Sequence, residues 1–146
     1  MTTPKGRYFM KKKNDVIAAL TKRDLDILNT LWNSEKSLTA SEICQLNDDI
    51  TMNTIQAVLR KLLKNNLIEV ADIVYSGTVL CRSYRPVISS GDYALAKLTT
   101  DYQNFGKEVS KSSLVAALLD SENNPEQRKS DIEHLEMLLE KYKQNL

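Results

Sequence analysis

Residues 51–86 read TMNTIQAVLRKLLKNNLIEVADIVYSGTVLCRSYRP. In the first half of this stretch Ile55, Val58, Leu59, Leu62 and Leu63 recur at the spacing of one buried helix face. At about 100° per residue the opposite face collects Asn53, Ala57, Arg60, Lys61 and Lys64, with Gln56 on its flank. That face carries three cations, and no acid on the helix balances them. Thr51 is placed to cap the helix, and Asn65-Asn66 to end it, because Asn tolerates the left-handed conformation beyond a helix C-terminus. The second half changes period. Leu67 to Val74 and Thr78 to Tyr84 are rich in β-branched residues and flank Tyr75-Ser76-Gly77, which reads as a turn, while Pro86 ends the second strand. The stretch is a helix followed directly by a β-hairpin.

Upstream, Thr21 and Asp24 form a capping box, and Leu20 can staple onto Leu25. Leu25, Leu28 and Trp32 then repeat at helical spacing, widened by Ile27 and Leu31. Ser37-Leu38 is short and extended. Thr39 and Glu42 form a second capping box, Leu38 can staple onto Ile43, and Asn47-Asp48-Asp49 stops that helix. The order helix, short strand, helix, helix, hairpin is that of a winged helix-turn-helix.

Downstream, Leu95, Leu98, Tyr102, Phe105 and Val109 step as a short heptad seam whose end Gly106 weakens. Ser113 opens a short apolar helix, Leu114 to Leu119. Asn124, Pro125 and Gln127 read as cap, first helical residue and box partner of a last helix, in which Ile132, Leu135, Leu139 and Tyr142 form a second seam. The expected fold is mainly α with a small β-hairpin. Its parts are a basic tail over residues 1–19, a winged-helix DNA-binding domain over 20–88 and a helical dimerisation region over 89–146. In the tail, Lys11, Lys12 and Lys13 are either a phosphate-contacting arm or a solvated segment.

Composition narrows the chemistry. The 146 residues include 42% hydrophobic and 27% charged side chains, as in an ordinary globular protein. No apolar run approaches the length of a membrane helix and no signal peptide is evident, so the expected location is the cytoplasm. Cys44 and Cys81 are far apart, Cys44 reading as a small core residue. His134 is the one histidine, and the glycines are isolated. Neither a zinc site, a histidine-based triad nor a phosphate loop can be assembled from these, so no metal, no cofactor and no enzyme activity is expected. Residues 1–86 hold thirteen basic and nine acidic side chains, residues 87–146 seven and ten. A basic first half fits a polyanionic partner.

An α-helix fits the major groove of B-DNA, where Asn and Gln pair with adenine edges and Arg or Lys with guanine. The helix over residues 52–64 offers Asn53, Gln56, Arg60, Lys61 and Lys64 for that purpose. Arg82 or Arg85 on the hairpin can meet phosphate or the minor groove.

In these blocks the sequence resembles the penicillinase repressors and the related methicillin-resistance and copper-transport repressors. The resemblance runs from about Leu20 to Tyr142. It is carried by Leu20-Thr21 through Leu31-Trp32, by Thr54-Ile55, Leu62, Lys64 and Leu67-Ile68, and by Ser113-Leu114-Val115. It implies a winged-helix repressor that dimerises through its C-terminal helices and binds palindromic double-stranded operators. Asn53, Thr54, Gln56, Ala57 and Lys61 match the family's DNA-contacting positions. The implied dimer seam takes in Leu95, Leu98, Tyr102, Phe105, Leu135, Leu139 and Tyr142. Gln56 and Ala57 replace the Arg and Thr of penicillinase repressors, which implies a different operator. The hairpin is a few residues longer, and the copper repressors' C-terminal paired cysteines are absent. Asn104-Phe105 resembles the bond that is cut in penicillinase repressors when a membrane-bound sensor protease detects β-lactam, displaced by about one helical turn. The plainer reading makes Phe105 a seam residue beside a surface Asn. Two other function classes stay open: a winged-helix regulator released by a small-molecule ligand, and a winged-helix protein-interaction module.

Overall fold

The computed structural model describes residues 14–146; the cluster Lys11 to Lys13 and the rest of the tail before it lie outside the described residues. Residues 14–18 are helical, and Ile17 is buried in the core, so the end of the segment assigned to the tail is part of the packed structure.

Helix α1 spans Lys22–Trp32. Its start is the expected capping box: the Thr21 amide donates to the Asp24 carboxylate at 2.9 Å, and the Asp24 amide donates to the Thr21 hydroxyl at 3.2 Å. Strand β1 is the pair Leu38–Thr39, and helix α2, Ala40–Gln45, is capped in the same way by Thr39 and Glu42. Asn47 ends it by donating its side-chain amide to the Ile43 carbonyl at 2.8 Å and to the Thr30 hydroxyl at 3.0 Å. Helix α3, Met52–Lys64, is capped by Thr51. Its exit has Asn66 at φ 58°, with amides of Asn66 and Leu67 donating to the carbonyls of Leu63 and Leu62. This is the two-bond closure that a left-handed residue makes possible.

Strands β2, Ile68–Ser76, and β3, Val79–Pro86, form the hairpin, and the sheet order is β1-β3-β2, antiparallel throughout. The turn differs from the sequence expectation. Tyr75 and Ser76 stay in the ladder opposite Leu80 and Val79, so the loop is Gly77-Thr78, with Gly77 at φ 65°. An irregularity between Val70 and Asp72 interrupts the register of β2.

The core of this part consists of Ile27, Leu28, Leu31, Leu38, Ile43, Ile50, Ile55, Val58, Leu59, Leu62, Leu67, Ile68 and Ile88, with Ile17. Cys44 packs half-buried against it, as expected for a small core side chain. Helix α4 spans Ser90–Phe105. Its start is fastened to α1: the Trp32 indole donates to the Ile88 carbonyl at 2.8 Å, and the Trp32 and Tyr93 rings lie 5.6 Å apart. One compact unit ends at Thr99.

The second unit contains residues 100–146. Helix α4 ends at Phe105, so Val109 leaves the expected seam; its carbonyl instead accepts the Tyr102 hydroxyl at 2.8 Å. Helix α5 is Lys111–Ser121, and its cap is Ser110, three residues before the expected Ser113. Helix α6 is Pro125–Gln144, capped by Asn124 with Pro125 at its start. Gln127 does not complete a box: its side chain points forward to Asp131 at 2.9 Å. Arg128 closes the α5–α6 corner by donating to the carbonyls of Leu119 and Glu122 at 3.0 and 2.5 Å. Neither α4, α5 nor α6 buries a residue completely within the chain.

Candidate nucleic-acid interface

Helix α3 divides its residues as its periodicity demands. Ile55, Val58, Leu59 and Leu62 are buried. Asn53, Gln56, Ala57, Arg60 and Lys64 are exposed, and Thr54 is half-buried beside the cap, its hydroxyl 3.0 Å from that of Thr51. Asn53, Ala57, Arg60 and Lys64 form the outward ridge, with Gln56 and Lys61 on opposite flanks.

The two flanks have different neighbours. On the Gln56 side stands the wing. Gln56, Arg82 and Tyr84 line a shared depression with Ala40, and Arg60 lines its continuation. Arg82 is exposed, and no ion pair holds it among the described residues. Arg85, the other arginine of β3, is paired instead with Glu69 across the hairpin at 2.5 Å.

On the Lys61 side stands the first turn of α1. The Lys61 ammonium lies 2.5 Å from the Asp24 carboxylate, which is almost fully buried. The sequence expectation that no acid balances the cations of this face is therefore corrected at Lys61: the balancing acid comes from another helix. Periodicity within residues 51–64 contains no signal for it, because the partner is 37 positions away. Burial pushes the Asp24 carboxyl up, while the bonds from Lys61 and from the Thr21 amide and hydroxyl pull it down; the net result is below the ordinary carboxylate value. Arg60 and Lys64 have no ion-pair partner among the described residues.

Leu95, Leu98 and Phe105 on α4 and Leu139 and Tyr142 on α6 are each more than 60% exposed. Tyr102 and Leu135 are half-buried. Asn104 and Phe105 are both exposed at the last turn of α4, directly before the turn that begins at Gly106. His134 is exposed on α6, away from any cluster of metal-binding side chains among the described residues. No helix among the described residues is long and apolar enough to cross a membrane.

The family model described as Penicillinase repressor matches residues 20–141. No individual curated protein matches the chain significantly. Among solved structures, the chain is similar to a homodimeric winged helix-turn-helix DNA-binding domain from Mycobacterium bovis, with 18% identity, 73% of this chain and 92% of that one covered, and a TM-score of 0.43. It is also similar to MepR, a transcription regulator of the Staphylococcus aureus multidrug efflux pump MepA, with 19% identity, coverage of 94% and 99%, and a TM-score of 0.40. The reduced form of the Bacillus subtilis regulator YodB matches at 17% identity, coverage of 77% and 98%, and a TM-score of 0.39. At such scores these three carry no weight beside the family match.

Proposed function

This chain belongs to the penicillinase repressor family of transcriptional regulators, and on that premise we propose that it is a repressor that binds a palindromic operator as a homodimer. The observation that carries the reading is the face of α3. It presents Asn53, Gln56, Ala57, Arg60 and Lys64 outward from a helix whose other side is sealed into the core, with Arg82 of the wing beside it. Asn53, Thr54, Gln56 and Ala57 meet base edges. Arg60, Lys64 and Arg82 neutralise phosphates.

Dimerisation through residues 89–146 is supported by the exposure of the α4 and α6 seams, on which Leu95, Leu98, Phe105, Leu139 and Tyr142 stand largely open. A two-fold pair reads half-sites one DNA turn apart, ~34–36 Å. The test is selection of bound fragments from genomic DNA, joined to sedimentation of the free protein. An enriched inverted repeat and a dimer are expected. An unchanged fragment pool points to a protein-interaction module, and release of DNA by a small molecule points to a ligand-controlled regulator.

A second reading concerns release from DNA. The Asn104–Phe105 bond lies exposed at a helix end rather than in a helix interior, where local opening is least costly. That position favours cutting there by a sensor protease. Intact-mass measurement of the chain from induced cells checks it: fragments ending at Asn104 are expected, and an uncut chain on derepressed DNA refutes it.

A further inference from the structure

Asp24 is doubly engaged. Its Oδ2 accepts the Thr21 amide at 2.9 Å, which anchors the carboxylate in the cap of α1, and the same oxygen holds the Lys61 ammonium at 2.5 Å. Its side chain is 3% exposed, that of Lys61 41%. We propose that Asp24 is a positioning residue of the DNA interface: it withholds Lys61 from the phosphates and fixes one flank of the α3 ridge that presents Asn53, Ala57, Arg60 and Lys64. The inference rests on the DNA-binding reading above and deepens it.

A free lysine on the flank of a reading helix adds affinity for every sequence alike, because it meets the phosphate backbone. It therefore raises non-specific binding along with specific binding. A lysine committed to a desolvated carboxylate does not do this. Drawing its ammonium toward a phosphate leaves Asp24 buried, charged and unpaired, which is strongly unfavourable. The face then offers DNA the charges of Arg60 and Lys64, and the rotation of α3 against α1 is set by the pair.

The experiment measures the salt dependence of binding to the selected operator and to a random duplex for the full chain and its variants. In Asp24→Asn the amide oxygen can still accept the Thr21 amide, but the charge that holds Lys61 is gone. The expected result is a slope steeper by ~0.9, one phosphate contact, with tighter binding to random duplex and a smaller operator-to-random ratio. Lys61→Gln, which does not depend on the folding of Asp24→Asn, is expected to keep the slope of the unmutated chain. A slope shallower by ~0.9 in Lys61→Gln places Lys61 on a phosphate already and overturns the proposal. So does an unchanged slope in an Asp24→Asn protein with native circular dichroism, which makes the pair a fold contact alone. Arg60→Gln separates the two levels of the argument. A shallower slope there upholds DNA binding by α3 whatever Asp24 does, whereas salt-independent behaviour of every protein removes the DNA reading and this proposal together.

Discussion

Introducing Asp at both Leu98 and Leu139 is expected to convert the proposed dimer into a monomer while leaving the winged helix folded. In the single chain these side chains are 65% and 62% exposed. Fully burying a leucine contributes roughly 1.5–3 kcal/mol, so the part still open to an interface is worth about 1–2 kcal/mol per residue. Two residues in each of two chains make about 4–8 kcal/mol of lost association energy, before any cost of desolvating the new carboxylates. At 1.4 kcal/mol per tenfold, the dimer dissociation constant rises by about three to six orders of magnitude. Neither leucine belongs to the buried core of the first unit. The thermal transition of the winged helix should therefore persist, and operator affinity should fall because one monomer reads one half-site. Analytical ultracentrifugation across micromolar concentrations is the assay. A monomeric unmutated chain, or a variant that remains dimeric with unchanged affinity, refutes the assignment of these faces to a second copy.

Three further outcomes follow from single contacts. Gln56→Ala or Asn53→Ala should cost about 1–3 kcal/mol at the base pair it reads, whereas Lys64→Ala should weaken all sequences and flatten the salt slope; titrations against an operator with single base changes distinguish the two behaviours. Trp32→Phe keeps the ring against Tyr93 but removes the donor to the Ile88 carbonyl, so urea unfolding should show a loss of about 1–3 kcal/mol, and an unchanged midpoint denies that bond a role. Because the Asp24 carboxyl lies below its ordinary value, its ionisation stabilises the fold fully above the unfolded-state value near pH 4; that contribution is lost as the pH falls through the lower folded value. Unfolding measured between neutral and acid pH should therefore show a drop below about pH 4 that is smaller in Asp24→Asn, and parallel curves for the two proteins contradict the linkage.

What could be read from the sequence was whatever is settled within a few residues. The boxes at Thr21 and Thr39, the caps at Thr51 and Asn124 and the left-handed exit at Asn66 each join groups two to five positions apart, and all are found in place. Where two local solutions compete, geometry chooses between them. Ser110 and Ser113 are both competent caps, and Ser110 takes the role because its hydroxyl receives the Ser113 amide. Tyr75 and Ser76 are permitted in a turn, yet ladder bonds to Leu80 and Val79 keep them in the strand, which leaves the tightest loop to Gly77-Thr78. Gly106 stops α4 one seam position early, and Val109 becomes a hydrogen-bond acceptor for Tyr102.

The contacts that join separate elements, at the start of α4 and at the edge of the candidate interface, are of another kind. Trp32 and Ile88 are 56 positions apart, and Asp24 and Lys61 are 37 apart. A helical period says which side of α3 faces away from its core, and nothing about what packs along the edges of that side. The outward ridge is thus legible from residues 52–64 alone, but its effective charge is not. It depends on where the neighbouring helix begins, since the carboxylate that caps α1 is the same group that holds Lys61. One side chain thereby ties the cap of α1 to the charge of the α3 face. This is why a charge count along the reading helix overstates by one the cations left without an ion-pair partner.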